Sequence, residues 1–295
     1  MPALHLSRPA ALDTTRTKPV PPGRPTPSPW LWLAGGTLLF FAVPFVGTDM
    51  FGLQPDLYYL CYFTIAVVWF VAFLATYRAQ LRDLWRHNLT WSLAVGALAG
   101  VALAAIVFSQ AGSDHPDGWR WWFEIGWRGL VYGSVDTLTL FVFPAAVAYL
   151  LMHGDRTGTK RKIGYAGLAL SLSLLVSTSY HLGYPEYRDA DLRSPLIGTV
   201  MGSAATVLTG NPVGAFLTHG TAHVSAVVHA RDGGPTQMLP PKVTSDYPSH
   251  GDSDLAAGLA VLWLVGTAGV LTLVIRRRGY TEAGSAGPPQ QDRSR

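Results

Sequence analysis

Trp121-Trp122-Phe123-Glu124-Ile125-Gly126-Trp127-Arg128-Gly129 runs on through Leu130, Val131, Tyr132, Gly133, Ser134 and Val135 to Asp136, an apolar stretch interrupted by three charges. Glu124, Arg128, Tyr132 and Asp136 fall at i, i+4, i+8 and i+12, which puts them on nearly one face of a helix. Ionisable side chains within a membrane span are costly and by default mark a functional site. The same pair has a plainer use, in which Glu124 and Arg128 neutralise each other and pin this helix to its neighbours.

Composition places that stretch in a bilayer. The chain has 295 residues, 49% hydrophobic and 14% charged, with a mean hydropathy of +0.23. Its apolar residues gather into runs of about 20, the length that one helical crossing needs. The fold class is therefore all-α, a polytopic membrane protein with about eight transmembrane helices. A net charge of +4 and a pI near 9.2 would also suit a nucleic-acid binder. The Lys and Arg residues, however, sit in short loops and at both ends, as the positive-inside rule predicts, so the bilayer and not nucleic acid is the expected partner. The one cysteine, Cys61, lies inside an apolar run, which excludes an intrachain disulfide.

Residues 1–29 are rich in Pro, Thr and Arg and read as a disordered basic tail without the apolar core of a cleaved signal peptide. Residues 30–276 make the eight-span domain and 277–295 a polar tail. The spans are read at about 30–46, 58–76, 89–109, 119–152, 163–180, 195–208, 213–229 and 255–275. The fourth begins among Trp119, Trp121 and Trp122, rings suited to the membrane interface. It is longer than one crossing, so a strong tilt, an interfacial first turn or a break near Gly133 or Pro144 is expected. Gly210-Asn211-Pro212 is a turn signal before the seventh span.

Loop charge alternates along the chain, with Arg78, Arg82 and Arg86, then Lys160, Arg161 and Lys162, and finally Arg276, Arg277 and Arg278 on one side. The other side carries Asp49 and Asp56, then Asp114 and Asp117, then Glu186, Asp189 and Asp191. That pattern fits a cell-membrane protein with both termini in the cytoplasm. It also places Glu124, His181, His219 and His223 in one depth band, so these groups are expected to converge.

His219 and His223 are four apart and stack on one helical face, the spacing for joint metal ligation or for two donors to one carbonyl. Taken singly, a membrane histidine is also a common interhelical hydrogen-bonder. His5, His87, His115, His153, His229 and His250 read as surface residues. Asn88-Leu89-Thr90 matches a glycosylation sequon but lies in a cytoplasmic loop. The glycines of the third and eighth spans are read as allowing close helix packing.

The run Glu124-Ile125-Gly126-Trp127-Arg128-Gly129 resembles the first motif of the CPBP membrane proteins, the CAAX-processing endopeptidase and bacteriocin-processing family, whose pattern is Glu-Glu-x-x-x-Arg. Ser177-Thr178-Ser179-Tyr180-His181 is similar to the second motif, Phe-x-x-x-His, at the histidine. His219-Gly220-Thr221-Ala222-His223 is similar to the third, His-x-x-x-Asn or Asp, with His in the last place. The resemblance covers residues of about 119–229 and implies an intramembrane endopeptidase that acts on a membrane-associated peptide or protein. It implies Glu124 and His181 as activators of water, Arg128 as a motif residue, and His219 and His223 as stabilisers of the oxyanion. The chain departs from the pattern at Phe123, where the family has its leading glutamate, and at Ser177, where it has phenylalanine.

Two forms of the enzyme reading stay open. Glu124 with His181 polarises a water while His219 and His223 donate to the oxyanion, or Glu124, His181, His219 and His223 hold Zn2+. A non-catalytic scaffold that binds a partner helix, a lipid or an ion is the reading from another class, and Phe123 is the residue that favours it. Reporter fusions after Arg86, Lys162 and Arg278 should report the cytoplasm, and fusions near Asp117 and Asp191 the outside. A reversed signal at either aspartate would undo the shared-depth argument.

Overall fold

The computed structural model describes residues 27–112, 117–188, 192–229 and 258–266, and every regular element among them is helical. The expected N-terminal tail, save its last residues, lies outside the described residues. So do the loop 231–254, His5, His115, His250, most of the eighth span and the C-terminal tail.

Helix α1 (Pro29–Met50) and α2 (Pro55–Tyr77) each start with a proline in the first turn, where its missing N–H costs nothing. A short α3 (Arg82–Arg86) leads to α4 (Leu89–Phe108), the long α5 (Trp119–Leu151) and α6 (Gly158–Leu182). Helices α1, α2, α4, α5 and α6 are long and apolar enough to cross a bilayer, which makes this a membrane protein. Leu38, Val68, Trp91, Leu98 and Val101 stand exposed on their outer faces, as contact with lipid tails requires. Four shorter helices follow, α7 (Pro185–Arg188), α8 (Arg193–Gly202), α9 (Ala204–Thr209) and α10 (Ala215–His229). A further helical stretch covers 258–266.

The segment read as a sixth span is divided at Ser203 into α8 and α9. At about 1.5 Å per residue neither half reaches across ~30 Å of hydrocarbon. In α5 the expected break near Gly133 or Pro144 does not occur. The helix continues for 33 residues, with π-helical segments at Ile125–Val131 and Leu138–Val142. Pro144 stands two residues beyond the second of these, where the wider i→i+5 turn before it gives its ring room without ending the helix. Helix α5 is the centre of the bundle: 78% of its most apolar window is buried, against 28–39% for the other four spans.

Helix α10 is gripped between α4 and α5 by glycines. A Cβ on Gly96 would strike the Gly214 carbonyl, and one on Gly214 would strike the Ser92 carbonyl. That approach lets Ser92 Oγ donate to the Asn211 carbonyl at 2.7 Å and accept from the Gly214 N–H at 2.8 Å, while Thr218 Oγ1 donates to the Gly96 carbonyl at 3.0 Å. On the other side Gly133 lies against Gly220 and the Cβ of His223. The expected turn before α10 is anchored by Asn211, whose Nδ2 donates to the carbonyls of Trp85 at 3.2 Å and His87 at 2.6 Å. Its Oδ1 accepts from the Val213 N–H at 2.9 Å.

Gly214→Ala should therefore force α4 and α10 apart and lower stability by about 1–3 kcal/mol, the usual cost of overpacking a tight contact. Gly220→Ala, where nothing lies within reach of an added Cβ, should be neutral or slightly stabilising through helix propensity. Unfolding in detergent reads both, and equal behaviour of the two variants would show that the contact does not set the packing.

Candidate functional site

Asp136 lies between the two π-helical segments of α5 and is 3% exposed. A carboxylate buried at that depth needs donors. Tyr62 of α2 donates to its Oδ1 at 2.8 Å and Tyr180 of α6 to the same oxygen at 3.3 Å. Tyr184 donates to the Tyr180 oxygen at 2.7 Å, and the oxygens of Tyr58 and Tyr184 are 2.6 Å apart. Each hydroxyl has one proton to give, so Tyr58 donates to Tyr184, Tyr184 to Tyr180, and Tyr180 to Asp136. Tyr132 by the same reasoning donates to Tyr180 across 2.7 Å. Five buried tyrosines thus aim their protons toward one carboxylate, directly or through a neighbour.

The other oxygen, Oδ2, faces α10. It lies 3.8 Å from His219 Nε2 and 3.9 Å from His223 Nε2, both too long for hydrogen bonds. The two Nε2 atoms are 3.0 Å apart. The i+4 spacing delivers this pair, and the glycine contacts of α10 set its depth. His219 packs edge-on to Phe141 at 5.0 Å and His223 to Tyr132 at 4.7 Å. Their Nδ1 atoms are buried without a hydrogen-bond partner.

Asp136, His219 and His223 open onto a cavity of about 280 Å³ that His181 also lines. The rest of its wall is mainly apolar, with Leu103, Ile106 and Val107 from α4, Leu140 and Phe141 from α5, and Pro195 and Ile197 from α8. His181 Nδ1 is 2.7 Å from the Ser177 carbonyl. A carbonyl only accepts, so Nδ1 carries the proton and the Nε2 lone pair is left for a group in the cavity. Ser177, which stands where the second motif has phenylalanine, also bonds Thr199 Oγ1 at 2.7 Å and ties α6 to α8.

The structure thus brings His181, His219 and His223 together and does not bring Glu124 or Arg128 to them. Arg128 forms a two-pronged pair with Asp56 at the start of α2, Nε to Oδ1 at 3.0 Å and Nη2 to Oδ2 at 3.1 Å. Its Nη1 lies 3.7 Å from Glu124 Oε1. Asp56, Glu124 and Arg128 are all buried. The face shared by Glu124 and Asp136 is real in the sequence, but twelve residues separate them by about 18 Å along the axis. Depth, not face, decides which carboxylate meets the histidines. The four-ligand set of Glu124 with three histidines is accordingly not assembled. The group whose ligand atoms converge among the described residues is Asp136, His219 and His223, within 4.8 Å of one another. Sequence reasoning named Asp136 on the helical face but left it out of the site. Its position deep in an apolar run was the available signal.

Compared with protein-family models, with curated proteins and with solved structures, the chain matches none.

Arg128→Met should cost about 3–5 kcal/mol, because it strands two buried carboxylates. Glu124→Gln should cost under ~1 kcal/mol, since the bidentate Asp56 pair survives it. Chemical unfolding in detergent measures both, and a larger loss at Glu124 would mean that Asp56 is not the principal partner.

Proposed function

We propose that the chain is a membrane-embedded hydrolase, a divergent relative of the CPBP intramembrane endopeptidases, that cleaves a membrane-associated peptide or protein in the cavity beside Asp136. The observation that carries this reading is a carboxylate and two imidazoles converging on the wall of a mainly apolar cavity that a third imidazole lines. Its volume is near the small end of ligand pockets. In this reading α8 and α9 together, across the bend at Ser203, make a sixth span, and with the segments at 213–229 and 255–275 they join the five long helices to give eight spans in the cell membrane, with both termini in the cytoplasm.

The chemistry asks for an activated nucleophile and a proton carrier. Asp136, His219 and His223 activate the water whose oxygen adds to the scissile carbonyl carbon. Asp136 takes the water-activating role that the resemblance implies for Glu124, which Arg128 engages here. His181 takes up a proton at Nε2 and returns it to the leaving amine as the C–N bond breaks. The apolar wall holds an extended, lipid-borne segment and keeps bulk water out, which strengthens electrostatic contacts inside.

A scaffold without catalysis is favoured by one observation. Phe123 stacks on Trp127 at 6.2 Å, and Glu124 is engaged with Arg128, so the first motif here serves packing. Cleavage of a peptide library by the protein reconstituted in liposomes separates the two readings. Asp136→Asn should lower kcat/KM by about 10²–10⁴, the range for removing a group that activates the nucleophile. Glu124→Gln should change it by less than about threefold. Loss at Glu124 with retention at Asp136 would return the base to the first motif, and an inert wild type would leave the scaffold.

A further inference from the structure

We infer that Asp136, His219 and His223 form a binding site for a single divalent zinc ion. The triangle formed by Asp136 Oδ2, His219 Nε2 and His223 Nε2 has sides of 3.0, 3.8 and 3.9 Å. The point equidistant from its corners lies about 2.1 Å from each, inside the ~2.0–2.2 Å range of zinc–imidazole and zinc–carboxylate bonds. The three atoms are spaced as ligands of one ion and, at the carboxylate, too widely to bond one another.

The surroundings supply a second, independent argument. Asp136 accepts hydroxyl protons from Tyr62 and Tyr180 at Oδ1 alone. Those donors fix the carboxylate and leave Oδ2 to the histidines, the outer-shell support that metal-ligating carboxylates receive. The charge points the same way. Arg128, a buried cation on the same helix, pairs with Asp56 and Glu124 and not with Asp136, so a metal ion would supply the positive charge that this buried carboxylate lacks among the described residues. Two imidazoles and one carboxylate suit zinc and leave a coordination position open, here toward the cavity. A water held there is acidified by the ion.

The role of the ion rests on the hydrolase reading, but its binding is measured with no substrate present. The full chain, purified in detergent through a tag without histidines, should contain about one zinc per chain. It should lose the ion to a strong chelator and regain it on addition of zinc. Asp136→Asn and His223→Ala should bind zinc at least about tenfold more weakly, while Glu124→Gln should retain it. Where the variants fail to fold, cobalt decides in the wild type: a visible absorption band of the low-coordinate ion, displaced by zinc, is expected. Its absence, or zinc bound equally by Asp136→Asn, overturns the site. Stoichiometric zinc without cleavage of any peptide keeps the metal and removes the hydrolase. Cleavage by zinc-free protein in the presence of chelator removes the metal and keeps the hydrolase.

Discussion

A carboxylate placed in hydrocarbon has no water to hold it, and the arrangement of this bundle around Asp136 follows from that constraint. Leaving such a group without donors costs several kcal/mol at least. The remedy is a set of hydroxyls that are themselves buried. Tyr58 and Tyr62 come from α2, Tyr132 from α5, Tyr180 from α6 and Tyr184 from the turn beyond it. Three helices must be in place before any of these protons reaches its acceptor, so the polar network specifies the packing as much as the packing buries the network. The rings also stack, with Tyr58 on Tyr62 and Tyr62 on Tyr180 at 6.0 and 5.5 Å, so the same residues supply core and hydrogen bonds.

The buried charges divide into two systems at different depths on α5. Near its N-terminal end Arg128 answers Asp56 and Glu124, joining α2 to α5 at a place where neither helix could otherwise bury its charge. About two turns beyond Arg128, Asp136 faces two imidazoles and, among the described residues, no Lys or Arg. The first system is closed, because its cation is already spent on two carboxylates in a bidentate and a looser contact. The second is open on the cavity side. An open polar cluster at membrane depth is where chemistry or ion binding belongs.

Composition and apolar runs made the helical membrane class legible, and i+4 spacing made the histidine pair legible, because both depend on local period alone. The glycines of α4 were also readable as contact points, and Gly96 and Gly100 do meet α10. The carboxylate partner was not legible. Helical spacing reports which face a residue takes, and depth has to be inferred from where a span begins. Glu124 and Asp136 share a face, so period alone favoured the one that matched a motif. The break at Ser203 is hidden for a different reason. The run 195–208 is apolar apart from Thr199, Ser203 and Thr206, and its division falls at the Gly202-Ser203 pair, a local signal that counting apolar residues passes over.

That break bears on the proposed hydrolysis. Hydrolysis within a bilayer needs water beside apolar surface, and a continuous wall of long helices would exclude it. Backbone that is not one unbroken helix is tolerated at membrane depth where it lines a cavity or is buried in protein. Helix α8 supplies Ser194, Pro195, Ile197, Gly198 and Thr199 to the cavity wall. Helix α8 ends after Gly202, whose missing Cβ admits the Phe141 ring, and α9 carries the chain on from Ala204. The same short helix is tied to His181 through Thr199 and Ser177. In the proposed hydrolase, a displacement of α8 would therefore alter the cavity wall and the seat of the His181 imidazole together.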